Sequence, residues 1–513
     1  MPQDIFAPYF LEREIKDNLV NEQEDLFAEY LGLIGGTSAK TGSKNASEPK
    51  LALRDEQPKN GQEYTGELYD LAVTGGSVVL PEFGVLACDI YARDGRVALL
   101  SQGAVLPSRQ VISAKGQTVL PGIIDPHVHM GFADSLSNEL QSETFSALHG
   151  GVTTAGLFIN ADKAYMANYA SIVEQVNSFS HINIFMHFIV ANNEQIAAIP
   201  QVVKAGVRSF KVFLHGVDGL IESKDDAFIV DTMAALKATG ERCVLLVHTE
   251  NHSLIKRATE QVRKRVGDSA TLLDWAETHP EISEEEAVIR IAYFAEKLQQ
   301  LTYIVHISSA GAINKLREIR KTNPYVFCET VSPYLMLEPD KLQGFAAKME
   351  PPIRGGQHVE TLWQSLKDGV IDTIGTDNVS WNLSQKTLGK TVWDALPGYP
   401  ALATHMPSVL TGGYINRGFD LTLLVSKMTS MPAKVFDIYP KKGTLLPGSD
   451  ADMVLVDLQN MRKVDPKDLH SRSDFSIYEN QFLAGWPSTT IVGGQIVMLD
   501  GQVLGAPKGR LLR

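Results

Sequence analysis

Cysteine is almost missing from this chain: Cys88, Cys243 and Cys328 are the only three in 513 residues, far apart and odd in number. That excludes a disulfide framework and a zinc ribbon of paired cysteines, and makes a reducing cytoplasm the expected compartment. No apolar run approaches the roughly 18 residues of a membrane span. The opening stretch MPQDIFAPYFLEREIKDN carries charges where a secretory leader needs an apolar core. Basic residues are the minority, and the formal net charge of −13 argues against nucleic acid or an anionic membrane as partner. No internal repeat is present. What remains has an ordinary hydrophobic content of 44%. The length suits one large core plus a smaller one, since single cores stop growing at about 250–300 residues.

Between Phe10 and Ile34 the apolar residues Leu11, Ile15, Leu19, Leu26, Phe27, Tyr30 and Leu31 recur at roughly helical spacing. From Gly35 to Gly66 the composition shifts to Ser, Lys, Asn, Pro and Gly, which reads as a linker. YDLAVTGGSVVLPEFGVLACDIYARDGRVALLSQG then gives short β-rich runs broken by Gly and Asp, the pattern of an antiparallel sheet. The same texture returns in ADMVLVDL and STTIVGGQIVMLDGQVL. Between these ends lie eight candidate strands: TVLPGIIDPHVH, TTAGLF, INIFMHFIV, SFKVFL, CVLLVH, YIVHIS, YVFCET and VIDTIGTD. Helical stretches separate most of them, and eight alternating βα units close a barrel. The expected architecture is therefore α/β. It comprises an N-terminal extension over 1–68, a small β-sandwich domain from 69–120 and 438–513, and a (β/α)₈ TIM barrel over 121–437.

Several of these strands end in a side chain that can bind a metal. His127 and His129 in GIIDPHVH lie two apart, so on a strand they share a face while Val128 takes the other. Alone, such a pair is an even choice between a ligand pair and two histidines on a β-edge. His248 ends CVLLVH, His306 lies in YIVHIS, and Asp377 follows VIDTIGT. A single strand histidine is usually a satisfied core residue, the reading for His187 in IFMHFIV, and a lone Asp after Gly-Thr would be a turn or helix cap. Lys211 in SFKVFL is the odd residue. Lysine is almost never fully buried unless paired. Burial lowers its pKa and leaves a nucleophilic amine, able to form a Schiff base or to add carbon dioxide. The carbamate so formed has two oxygens, each able to bind a metal. By itself such a lysine would snorkel to a loop carboxylate. With four histidines and an aspartate similarly placed, on the face where barrel active sites form, the bridging carbamate is favoured.

In this order PGIIDPHVH, SFKVF, VHTEN, VHISSAGA, PPIR and the Asp377 segment resemble the amidohydrolase superfamily, specifically its cyclic-amidase branch of hydantoinases, dihydropyrimidinases and allantoinases. KKGTLLPGSDADMVLVDL and YENQFLAGWP extend the likeness, which runs from about Tyr69 to about Val503. The resemblance implies one metal on His127, His129 and Asp377, and a second on His248 and His306. It implies that Lys211 bridges them as N6-carboxylysine. Two divalent ions are implied, most often zinc; imidazole and carboxylate ligands also suit manganese, cobalt or iron. A hydroxide shared by the ions would open a cyclic amide, imide or ureide, with Asp377 passing its proton to the leaving nitrogen. A small cyclic amide is the implied partner, and a homo-oligomer, dimer or tetramer, the implied assembly.

The pocket departs from the pattern. Dihydroorotase-like relatives carry an arginine just past the HxH pair, where this chain has Met130-Gly131-Phe132. Dihydropyrimidinases have a tyrosine shortly after the lysine; here Phe213-Leu214-His215-Gly216 follows, with His215 as the substitute. Asn378 stands where histidine is common, and Pro397-Gly398 where Asn-Gly is common, so a substrate hydrogen bond from a backbone N–H is lost there. His215, Thr330, Asn378 and Gly398 are the expected substrate contacts. Allantoinase or dihydropyrimidinase proper, an amidase for open-chain substrates, and a non-catalytic scaffold are the alternatives. The six filled ligand positions oppose the last.

Overall fold

The computed structural model describes residues 51–53, 68–103, 105–159, 165–217, 221–342 and 344–512. The helical reading of residues 10–34 lies outside them, as does most of the linker; within the linker, Leu51–Leu53 pairs with Gln110–Ile112.

Eight parallel strands run in sequential order: Ile123–His129, Val152–Ile159, Asn183–Ile189, Ser209–Phe213, Val244–His248, Thr302–Ile304, Val326–Val331 and Thr373–Gly375. Nearly every residue in them is buried, as expected of strands covered on one face by helices and on the other by the barrel interior. The last strand returns to the first. Asp377 N–H donates to the His127 carbonyl at 3.0 Å, and His129 N–H donates to the Asn378 carbonyl at 2.9 Å. This closes the barrel expected from the eight strand–helix units. The far end is plugged by Phe185, Tyr303 and Phe327 packed with Val435 and Phe436. Phe436 stacks within 5.2 Å of both Phe185 and Tyr303. With one end filled, only the C-terminal strand ends remain to build a site.

The β-rich ends form a sandwich as expected. One sheet holds Tyr69–Thr74, Asp89–Arg93, Arg96–Ser101 and Ser108–Ser113. The other interleaves Ser77–Leu80, Gly84–Ala87 and Thr118–Pro121 with Met453–Val456, Pro487–Val492 and Gln495–Leu499. Leu71, Val78, Ile90, Met453, Leu455 and Ile491 share its core. The sheets are mixed rather than purely antiparallel, because Tyr69–Thr74 pairs in parallel with Ser108–Ser113, and Ser77–Leu80 with Thr118–Pro121. The run TVLPGIIDPHVH, one strand by its texture, is two. Thr118–Pro121 pairs with Met453–Val456 in the sandwich, and Ile123–His129 pairs with Val152–Ile159 in the barrel. Gly122 joins them, and a Cβ there would stand 2.1 Å from Thr153 Oγ1. The three cysteines are buried free thiols. Among the described residues no helix is long and apolar enough to cross a membrane.

One buried carboxyl on the first barrel helix, Leu136–His149, makes a stability prediction. Burial pushes the Glu143 carboxyl up to about 7, against hydrogen bonds from Arg472 N–H and the Ser471 and Ser142 hydroxyls. A carboxyl whose pKa rises on folding favours the fold while protonated. That contribution is complete below its unfolded value of about 4.5 and is lost as pH rises through about 7. Glu143→Gln keeps the acceptor and does not titrate. Between about pH 5 and pH 7.5, wild type should lose roughly 2 kcal/mol of unfolding free energy relative to Glu143→Gln. Parallel denaturation curves for the two proteins across that range would contradict this.

Candidate metal centre

Both histidines of the first strand reach the residue that closes the barrel. His127 Nε2 lies 3.2 Å and His129 Nε2 3.0 Å from the same oxygen, Asp377 Oδ1. The three donor atoms all fall within 4.8 Å of one another. Asp377 adopts φ 56°, a left-handed conformation uncommon for a residue with a side chain. Its fixity comes from Asp125, fully buried, which accepts from the N–H groups of His127 and Thr376, each at 3.1 Å, and from the Thr376 hydroxyl at 2.6 Å. Asp125 thus locks the first strand to the last at the point where ligands from both converge.

His127 also has a carboxylate behind it. Its Nδ1 lies 2.8 Å from Glu329 Oε2, so the ring proton sits on Nδ1 and Nε2 turns a lone pair toward Asp377. A lone pair facing a carboxylate at 3.2 Å is repulsive unless a cation lies between them. Two imidazole nitrogens and a carboxylate are a donor set that suits zinc, and equally manganese, cobalt or iron. Glu329 fits its place because Gly375 leaves room; a Cβ there would meet Glu329 Oε1 at 2.2 Å. Burial would raise the Asp377 carboxyl, but His127, His129 and His306 together hold it well below the usual carboxylate range. Burial lowers His129.

His248 and His306 form a second group. His248 Nδ1 faces His306 Nε2 at 3.0 Å, and His248 Nε2 lies 3.0 Å from Glu250 Oε2. The carboxylate therefore takes the Nε2 proton, leaving the Nδ1 lone pair toward His306. His306 lies just past its strand at φ 41°, and its buried Nδ1 has no hydrogen-bond partner. The two groups are adjacent, with the His127 and His306 rings stacked at 5.5 Å.

Lys211 sits between them. It is 1% exposed, with Nζ 4.7 Å from the Phe213 ring centre and 5.3 Å from that of Phe158. It has not snorkelled to a loop carboxylate. Burial brings its amine down to about 7, although Asp377 and Glu329 act on it through space. Its own charge in turn bears on His129, His248 and His306. His187 is a satisfied core histidine: Nε2–H donates to the Pro126 carbonyl at 3.0 Å and Nδ1 pairs with the Ser209 hydroxyl at 2.7 Å.

The four expected substrate contacts have different surroundings. His215 lies beside the second group, its ring 6.1 Å from that of His248 and its Nδ1 3.1 Å from His252 Nδ1. Burial drives its pKa down to about 3, so it is neutral. The Thr330 hydroxyl donates to the Ile307 carbonyl at 2.9 Å. The Asn378 side-chain oxygen accepts from Ala401 N–H at 2.7 Å, which ties the 399–402 segment to the barrel seam. Gly398 donates its N–H to the Lys348 carbonyl at 3.1 Å, and its own carbonyl accepts from Lys386 Nζ at 2.5 Å. Lys386 also donates to the carbonyls of Lys348 and Leu396, at 2.9 and 2.6 Å. This fully buried lysine secures the Pro397–Gly398 loop from beneath, so the backbone groups of Gly398 are already engaged.

Asp125, Glu250, Glu329 and Lys386 were not singled out by sequence reasoning. Asp125 lies two residues before His127 on the same strand, the offset that puts it on the ligand's own side, and Glu329 lies in the apolar run YVFCET; Glu250, past the strand that ends at His248, and Lys386 carry no such signal.

The comparisons with known proteins agree with this fold. Residues 118–497 match the Amidohydrolase family. A D-hydantoinase of Rhizobium radiobacter is 30% identical over 460 residues, covering 85% of this chain and 97% of the relative. An allantoinase of Desulfitobacterium hafniense is 31% identical over 459 residues, covering 87% and 99%. The solved structure of an L-hydantoinase (dihydropyrimidinase) from Arthrobacter aurescens aligns with a TM-score of 0.81 at 28% identity, over 86% of this chain and 99% of that one. On these matches this chain belongs to the amidohydrolase family, in the branch that holds the hydantoinases and allantoinases.

Proposed function

We propose that the protein is a metal-dependent hydrolase that opens a cyclic amide, imide or ureide, using two divalent ions bridged by a carboxylated Lys211. The observation that carries this reading is Lys211 itself: an amine held near neutrality between a His-His-Asp group and a His-His pair. Such an amine adds carbon dioxide readily; a C–N bond forms, a proton leaves, and the resulting carbamate offers one oxygen to each group. His127, His129 and Asp377 would hold one ion, and His248 and His306 the other. When bound, the pair supplies Lewis acidity to the substrate carbonyl and makes water nucleophilic near neutral pH.

The chain's own residues then divide the work. Asp377, ionised at neutral pH, takes the proton of the attacking water and hands it to the ring nitrogen as the C–N bond breaks. Glu329 and Glu250 fix the ring nitrogens that His127 and His248 present. Lys386 holds the 396–398 loop rigid beside the site. The hydantoinase and allantoinase relatives support a cyclic substrate. Neutral His215 and the engaged Gly398 backbone mark a pocket different from that of a dihydropyrimidinase, so the substrate range is its own.

The test couples metal analysis with a hydrolysis screen over hydantoins, dihydropyrimidines, allantoin, cyclic imides and lactams. Two ions per chain and ring opening of at least one class are expected, with activity lost on chelation and restored by zinc or manganese. Protein that retains no metal would refute the reading. Turnover of linear amides alone would keep the metal centre and remove the cyclic substrate.

A further inference from the structure

We propose that His279 is a positioning residue for the second ion, acting on His248 through Glu250, with Arg354 of the PPIR segment holding it in place. The inference rests on the two-ion reading above and assigns residues that the reading leaves without a role.

Glu250 is fully buried and uses both oxygens: Oε2 takes the His248 Nε2 proton at 3.0 Å, and Oε1 takes the His279 Nδ1 proton at 2.9 Å. His279 is also fully buried, and its Nε2 has no hydrogen-bond partner. Its ring therefore has one polar task, to donate to Glu250. The Arg354 guanidinium reaches two places at once. Nη1 donates to the His279 carbonyl at 2.7 Å, and Nε donates to the Ser308 hydroxyl at 2.9 Å, two residues beyond His306. The Ser308–Ser309 segment is further held by Glu284, which accepts from both backbone N–H groups at 2.9 and 2.8 Å. The PPIR motif thus fixes the supports of both imidazoles of the second group and touches neither directly. Glu329, behind His127 in the first group, also accepts from the His306 backbone N–H at 3.1 Å and so braces both groups, whereas the Glu250–His279 pair stands behind His248.

Without the His279 donor, Glu250 Oε1 is a buried charged acceptor with nothing to accept. The carboxylate turns to find a partner and releases His248 Nε2; the tautomer that points Nδ1 at the site is then no longer imposed. Outer partners of this kind change metal affinity by about 10–100-fold.

The experiment equilibrates the holoenzyme against chelator buffers of graded free zinc and measures bound zinc per chain. His279→Phe keeps ring size and removes the donor; His279→Asn places an amide N–H near Nδ1. Wild type should lose zinc in two steps. His279→Phe should weaken one step by about 10–100-fold and leave the other within about 2-fold, and His279→Asn should restore the weakened step to within about 3-fold. A folded His279→Phe protein with both steps at wild-type positions overturns the inference. If His279→Phe does not fold, His279→Asn decides alone: a loss greater than about 10-fold overturns it, and near wild-type affinity upholds it. Wild type that binds fewer than two zinc ions would instead sink the two-ion reading.

Discussion

Asp377→Asn is expected to lower kcat by about 10³–10⁴-fold while the protein folds normally and keeps most of its metal. Asparagine retains an oxygen where Asp377 Oδ1 faces His127 and His129. It also tolerates the φ of 56° better than other residues with side chains, so the seam of the barrel is undisturbed. What it cannot do is accept a proton from water and return it to a leaving nitrogen. The deficit should therefore fall on kcat, with KM changed by no more than a few-fold. Steady-state kinetics on the best substrate from the screen, with zinc content measured on the same sample, decide it. A variant with more than about a tenth of wild-type kcat would assign the proton transfer elsewhere.

Lys211→Met should separate stability from function in the opposite sense. Methionine matches the unbranched stem and packs well between the Phe158 and Phe213 rings. A buried amine is removed, so with both proteins stripped of metal the thermal midpoint should stay level or rise. Bound metal should fall from two ions per chain to one or none, and kcat by about 10³-fold or more, since several kcal/mol of charge stabilisation are withdrawn. Wild type grown with isotopically labelled bicarbonate should carry the label on Lys211, and the variant should carry none. Full metal content and rate in Lys211→Met would remove the bridging carbamate while leaving the barrel and its family membership untouched.

The fold and the cluster of strand-end side chains were legible in the sequence for the same reason. Barrel strands are covered on both faces, so they read as apolar runs, and a charged or imidazole side chain at the end of such a run stands out. His127, His129, Lys211, His248, His306 and Asp377 all carry that signal. The supports were less legible. Glu329 stands in the apolar run YVFCET, but its task shows only once His127 is seen beside it from another strand; Glu250, past the end of its strand, shows its own only beside His248. Lys386 was illegible for another reason: its partners are backbone carbonyls, and backbone carbonyls leave no mark in a sequence. The join at Gly122 was missed because the hydrophobic pattern runs through it unbroken, and only pairing partners distinguish the sandwich strand from the barrel strand. The substrate pocket is the least legible part. Its shape depends on loops such as 396–398, set by contacts rather than by periodicity.

The seam between the first and last strands has a kinetic meaning as well. Asp125 and Thr376, which lock it, are separated by 251 positions along the chain, so this pairing must overcome the entropy of closing almost the entire barrel. Three of the proposed ligands straddle that junction. An ion that captured them would offset a long loop closure within the barrel, and it could do so only when the circle of strands is complete. On the two-ion reading, metal loading would serve as a checkpoint on assembly: a barrel left open at its seam lacks a ligand set, and a barrel that had taken up its ions would be kept from reopening there.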